Sequence, residues 1–229
     1  MKKNVWFVSG IDTNVGKTYA TGLLARAFAE KKVNIITQKM IQTGCKDSSE
    51  DIDMHRRLQN LSPLDEDTAH LTCPYIFSYP CSPHLAAELD HQTIDPAKIT
   101  SATRQLLERH DLILLEGAGG LMVPLTHDLL TIDYIRAQNY PLLLITSGKL
   151  GSLNHTLLSL YACKREGIEV KALVYNHFPH IDDVIEQDSL SYLRRHFPHT
   201  PIIELAEQQE EGNGCILPDI SPLLNVLDA

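Results

Sequence analysis

A doubly wound α/β fold, with a mostly parallel sheet and flanking helices, is what this 229-residue sequence predicts. Three observations carry it. Short apolar runs read as strands buried on both faces, amphipathic segments of about 10–15 residues alternate with them, and glycine-rich turns follow several of the runs. Val5-Trp6-Phe7-Val8 is fully apolar and stops at Ser9-Gly10, as a buried parallel strand does. Residues 16–31 then place Ala20, Leu23, Leu24, Ala27, Phe28 and Lys31 at helical spacing. Val33 to Thr37 reads as a second strand. Asp95-Pro96 is an N-cap followed by a first-turn proline, opening a helix through Ile99, Leu106 and Leu107. Leu112 to Leu115 reads as a third strand that delivers Glu116 to a turn, Gly117-Ala118-Gly119-Gly120. Beyond it come a strand over Leu142–Thr146, a helix over 152–166 and a strand over Lys171–Tyr175. A helix from about Asp182 to Arg195 and a short strand at Ile202-Ile203 complete the pattern. Two stretches read as irregular: 61–83, rich in Pro, Ser and Thr, and the tail from Ala206. Within the tail, the acidic run Glu207 to Glu211 reads as a solvated surface segment.

Composition narrows the function. A chain of this length buries about 70% of its unfolded surface, so residues 1–229 read as one domain that needs no disulfide staple. Apolar residues make up 43% and charged residues 21%, too apolar a mix for wholesale disorder. Twenty basic against 29 acidic residues give a net charge of −9. Such a field repels nucleic acid and anionic membranes, so neither is expected as a partner. No apolar run reaches the 18 or so residues of a membrane span. Met1-Lys2-Lys3-Asn4 leads into a stretch too short for a secretory core. The cysteines number five, an odd count without C-x-x-C spacing, which suits free thiols in the cytoplasm.

In parallel sheets ligands bind at the carboxyl ends of strands, so the residues there matter most. The first strand runs into Gly10-Ile11-Asp12-Thr13-Asn14-Val15-Gly16-Lys17-Thr18 and then a helix, which reads as a phosphate-binding loop of the P-loop type. Five residues separate Gly10 from Gly16, where the strict pattern has four. Backbone N–H groups would cradle phosphate oxygens, Lys17 would neutralise the β/γ charge and the Thr18 hydroxyl would ligate Mg²⁺. Lys39, after the second strand, is either a charge stabiliser of a transferring phosphoryl group or a solvated lysine. Glu116 reads as a magnesium or water-orienting carboxylate, with Gly117 and Gly119 letting the backbone approach phosphates. Ser48-Ser49-Glu50-Asp51-Ile52-Asp53 opens a helix; its carboxylates are caps or metal ligands. The turn Ser147–Asn154 repeats the strand, glycine turn and helix theme and could receive a carboxylate or phosphate. Asn176 ends the next strand and could read a purine edge. The remaining histidines, among them His70, His91, His110, His127, His180, His196 and His199, show no ligand spacing and read as surface or core residues.

Taken in order and spacing, these residues resemble dethiobiotin synthetase. The resemblance rests on Gly10 through Thr18, Lys39 through Thr43-Gly44, Ser82-Pro83-His84, Glu116-Gly117-Ala118-Gly119-Gly120 with Val123-Pro124-Leu125, and Lys149-Leu150-Gly151 with Asn154-His155. It covers roughly residues 1–176 and departs from the family at Asn14, where some members carry glutamate, and at Met40, where proline is frequent. It implies a homodimeric ligase dependent on Mg²⁺ and ATP, closing a ureido ring from 7,8-diaminononanoate and CO₂. By the resemblance, Thr13, Lys17 and Lys39 are catalytic. Thr13, Asn14, Val15, Gly16, Lys17, Thr18, Asp51, Glu116, Gly117, Ala118, Gly119 and Asn176 bind ATP, with Asn176 at the adenine. Thr18, Asp51 and Glu116 hold the metal, Asp51 being preferred to Asp53. Thr43 contacts the diamine, and Leu150, Gly151, Ser152 and Asn154 receive its carboxylate across the dimer interface. Read from the residues alone, another P-loop amide-forming synthetase and a partition-type nucleotide switch stay open.

Overall fold

A computed structural model describes residues 4–180, 182–207 and 215–227. Strands β1 (Asn4–Gly10), β2 (Ile35–Lys39), β5 (Leu112–Gly120), β6 (Leu142–Ser147), β7 (Val170–Asn176) and β8 (Ile202–Leu205) form one parallel sheet. Their spatial order is β2-β5-β1-β6-β7-β8. A two-stranded parallel pair, β3 (Gln42–Thr43) with β4 (Ile76–Phe77), lies apart. The helices are α1 (Lys17–Glu30), α2 (Glu50–Gln59), α3 (Asp65–Thr68), α4 (Pro83–Leu89) and α5 (Pro96–Arg109). They continue with α6 (Thr131–Gln138), α7 (Ser152–Glu166), α8 (Asp183–His196) and α9 (Ser221–Leu227).

Alternation of side chains sorts the core into two layers. Val5, Phe7, Ile113, Leu115, Leu142, Leu144, Leu173 and Tyr175 face one side, against α5, α6, α7 and α8. Trp6, Val8, Leu112, Leu114, Leu143, Ile145, Ala172 and Val174 face the other, against α1 and α9. There the Trp6 and Phe28 rings meet edge to face at 5.7 Å. With both faces covered, no strand can alternate polar and apolar residues, which is why the strands read as continuous apolar runs.

Several expectations need correction. The stretch 61–83 is not irregular throughout: it holds α3 and β4, elements of four and two residues, too short to show a period. The tail also folds: α9 buries Leu223 and Leu227 beneath the Trp6 layer. Glu207 is the one residue of the acidic run within the described part; the rest of that run, like Met1-Lys2-Lys3, lies outside it. Residues 117–120 belong to β5 rather than to a turn after it, so Glu116 sits inside the strand, although Gly119 takes φ 75° near the point where the pairing with β1 shifts register. β2 starts and ends two residues later than the apolar run suggested, because Lys39 pairs in register with Glu116.

A buried ion pair ties α2 to the sheet. Arg56 donates to both oxygens of Asp67, Nε at 2.9 Å and Nη2 at 2.7 Å, and Nη1 donates to Thr37 Oγ1 at 2.8 Å. The Thr72 hydroxyl and the Leu64 N–H also donate to Asp67. Burial alone would raise the Asp67 pKa, but Arg56 and these donors hold it below its ordinary value. Its contribution is therefore present above about pH 4, the unfolded value, and is lost as pH falls through the lower folded one. Arg56→Met leaves a half-buried carboxylate unpaired and should cost about 3–5 kcal/mol. Urea unfolding checks this, and the acid loss of stability below about pH 4 should be smaller in Asp67→Asn.

Candidate active site

The loop after β1 is held by its ends. Asn14 and Gly16 take positive φ, 59° and 97°, and the chain then enters α1 with Ala20 N–H donating to Gly16 O at 2.9 Å. The Asn176 amide, arriving at the end of β7, donates to Val15 O at 3.0 Å. Its Oδ1 accepts from Phe178 N–H. Asn176 thus braces the loop, a role that sequence did not suggest. Val15 is buried, whereas Thr13 and Asn14 are exposed on the outer lip.

Two strands and two helices converge beside this loop. Lys39, last in β2, places Nζ 2.8 Å from Glu116 Oε1 and 2.6 Å from Asp51 Oδ2. The Thr18 hydroxyl, in the first turn of α1, donates to Asp51 Oδ1 at 2.9 Å and lies 3.3 Å from Glu116 Oε1. Asp51 comes from the first turn of α2, whose N-cap is Ser49; Gln42 Oε1 accepts from the Ser49 hydroxyl at 2.7 Å and fixes that turn. Asp53 instead points outward and accepts from Ser48. Burial would lower the Lys39 pKa, yet Glu116 and Asp51 raise it above its ordinary value. Burial likewise opposes Glu116 ionisation, and Lys39 and His55 hold it far below the usual carboxylate range.

The expected site residues therefore fall into groups. Thr18, Lys39, Asp51 and Glu116 touch one another, and Lys17 feels their charges from the loop. Gly117 is buried where a side chain would strike the Phe7 ring, while Ala118 and Gly119 follow along β5. Thr43 ends β3, half-buried. Leu150, Gly151, Ser152 and Asn154 form the start of α7; Ser152 is buried with its hydroxyl 2.9 Å from that of Ser147, and Leu150 is 85% exposed. A cleft of about 330 Å³ lies between the loop, the end of β5 and α7, lined by Ile11, Thr13, Gly120, Val123 and Leu158 among others. Sequence reasoning missed His55, fully buried with Nε2 2.9 Å from Glu116 Oε2. Its signal was the i, i+4 spacing from Asp51, which puts both on one helix face.

A family model described as an AAA domain matches residues 4–206. The ATP-dependent dethiobiotin synthetase BioD 2 of Pasteurella multocida (strain Pm70) is 50% identical over 192 residues, 84% of this chain and 90% of that protein. This chain belongs to the dethiobiotin synthetase family. A further family member, the ATP-dependent dethiobiotin synthetase BioD of Chlorobaculum tepidum, is 49% identical over 210 residues, 90% of this chain and 88% of its own. Among solved structures, a ParA family ATPase from Chlorobium tepidum TLS has a TM-score of 0.55 at 15% identity, covering 91% of this chain and 86% of that one. A plasmid partition protein from Borrelia burgdorferi has a TM-score of 0.55 at 12% identity, covering 100% and 97%. These likenesses are of fold: a mostly parallel sheet with flanking helices, as in those nucleotide-binding neighbours.

Within this synthetase fold, Lys17 is the group poised to titrate. Burial, and after it the charge of Lys39, push its pKa down to about 8. A bound phosphate would favour the charged form, so nucleotide binding should take up a fraction of a proton near pH 8 and weaken as pH rises further. Calorimetry in buffers of different ionisation enthalpy measures that uptake, and identical heats in all buffers would contradict it.

Proposed function

We propose that this chain, acting as one ATP-dependent ligase domain over residues 1–229, converts 7,8-diaminononanoate and CO₂ to dethiobiotin with release of ADP and phosphate. The observation that carries the reading is the meeting of Thr18, Lys39, Asp51 and Glu116 beside a phosphate loop. One amine attacks CO₂ to give a carbamate and a proton. The carbamate oxygen attacks the γ-phosphorus of ATP, giving a carbamic-phosphoric anhydride and ADP. The second amine attacks the anhydride carbonyl, and phosphate leaves as the ureido ring closes. No covalent enzyme intermediate is needed. The chain's part is positive charge placed in advance around anions, Lys17 and Lys39 together with loop N–H groups, in a cleft that limits water.

A hydroxyl and two carboxylates are hard oxygen donors, and their convergence fits Mg²⁺. Thr18, Asp51 and Glu116 would hold it, and when bound it would neutralise phosphate charge. Thr13 at the lip of the cleft is assigned to the reacting groups, Thr43 to the diamine and Asn176 to adenine. The start of α7, Leu150 to Asn154, offers a positive helix-dipole end for the substrate carboxylate. Leu150, Leu158, Tyr161 and Met122 are exposed apolar side chains around that helix and the cleft rim, which supports a homodimer whose subunits complete each other's sites. We place the enzyme in the cytoplasm on its odd complement of cysteines, and expect neither nucleic acid nor membrane as partner on its net charge of −9.

Incubation with ATP, bicarbonate and diaminononanoate tests the reading. ADP release should require the diamine, and dethiobiotin should accumulate in equal amount. ATP hydrolysis indifferent to the diamine would point to a partition-type switch.

A further inference from the structure

We propose that His55 is a positioning residue for the ligase reaction: its Nε2–H holds Glu116 Oε2, so that Oε1 alone faces the phosphate loop to join Thr18 and Asp51 in holding the divalent cation. The inference rests on the reading of those three residues as the cation ligands.

The two oxygens of Glu116 have different surroundings. Oε1 lies 2.8 Å from Lys39 Nζ and 3.3 Å from Thr18 Oγ1, on the side of the loop. Oε2 lies 2.9 Å from His55 Nε2, on the side of α2. A glutamate's terminal torsion is broad and two-fold, so nothing intrinsic keeps one oxygen forward. A donor fixed behind the carboxylate does. Because an ionised carboxylate only accepts, the imidazole nitrogen facing it carries the proton.

His55 itself cannot shift. It is fully buried on α2, and α2 packs close against α1 at Gly22, where a Cβ would come within 2.7 Å of Leu58 Cδ1 and 3.4 Å of His55 Cα. Its Nδ1 is buried with no hydrogen-bond partner among the described residues. A histidine that served packing alone would expose or pair both nitrogens, since an orphaned buried nitrogen weakens the fold. Among the described residues this ring has one polar contact, to Glu116, and it reaches the site through that contact.

The test uses His55→Leu, which keeps the bulk and removes the donor, His55→Gln, which returns an N–H at similar reach, and Glu116→Gln. Mn²⁺ affinity is read by electron paramagnetic resonance in the presence of a non-hydrolysable ATP analogue. His55→Leu should weaken Mn²⁺ about 10–100-fold, the range for lost partners of metal ligands, with His55→Gln within about threefold of wild type. In steady state, the Mg²⁺ needed for half-activation should rise more in His55→Leu than the rate at saturating Mg²⁺ falls. If Glu116→Gln weakens Mn²⁺ but His55→Leu does not, His55 has no positioning role and the cation set stands. If Glu116→Gln leaves Mn²⁺ binding unchanged, the cation set fails and this inference with it. Equal loss in His55→Gln and His55→Leu would also overturn it, because the donor would not be what matters. Should His55→Leu not fold, ¹⁵N-histidine spectra of the wild-type protein decide: a proton on Nε2 of His55, perturbed in Glu116→Gln, supports the inference, and a proton on Nδ1 alone overturns it.

Discussion

Lys39→Ala is expected to lower turnover by about 10²-fold or more, the scale of losing one charge contact organised in advance of the reaction. Lys39 stands at the carboxyl end of β2 with its ammonium between Asp51 and Glu116, close enough to Lys17 to lower that residue's pKa. No other cation reaches both carboxylates among the described residues. The substitution should also weaken the free protein. Glu116 is fully buried, and stripping a buried charge of its partner costs about 3–5 kcal/mol. Thermal unfolding should therefore show a lower midpoint that Mg²⁺ raises more in the variant than in wild type, since the cation replaces a missing counter-charge. Near-normal single-turnover ring closure by the variant would remove Lys39 from the chemistry.

Gly16→Ala is expected to weaken nucleotide binding about 30–150-fold. At φ 97° a side chain is strained, by about 1–2 kcal/mol for left-handed backbone. The added Cβ would also lie 2.3 Å from Asn176 Nδ2, so Asn176 must release Val15 O at about 1 kcal/mol. Together these give about 2–3 kcal/mol, which converts to the stated factor. Titration with a fluorescent ATP analogue measures it. Adding Asn176→Ala should cost less than it does in the wild-type background, because the clash and the lost hydrogen bond are one contact and only the proposed adenine contact is left to lose. Full additivity would show that Asn176 does not brace the loop.

The sheet was legible because each of its longer strands is apolar on both faces, and β1 with its loop and α1 was legible down to Lys17 and Thr18. α7 could be bounded at Ser152 and Glu166 because Gly151 and Gly167 flank it. Other elements left no comparable signal. α2 is so polar that only its serine cap and carboxylates marked it, and its buried face sets His55 and Arg56, residues whose types suggest surface, beside just two apolar side chains, Ile52 and Leu58. β3 and β4 are two residues each and exist through pairing with one another. α9 was hidden because its apolar residues follow a polar stretch far from the strands they cover. At the site, sequence placed Lys39, Glu116 and Asp51 as candidates. It could not show that Lys39 joins the two carboxylates, because that depends on the register of β2 against β5 and on how closely α2 approaches α1. His55 escaped for the same reason, since its partner is 61 positions away.

The cluster around Thr18 is electrically balanced. Lys17 and Lys39 supply two positive charges, and Asp51 and Glu116 supply two negative ones. Neither a polyanionic nucleotide nor a free dication meets a local excess of opposite sign. Arriving as a pair they compensate one another in part, since a dication offsets about half the negative charge of a nucleoside triphosphate. Each should then promote uptake of the other, and thermodynamic reciprocity makes the two enhancements equal. A site neutral before it is filled is thus expected to take up the nucleotide more tightly with its cation than without it.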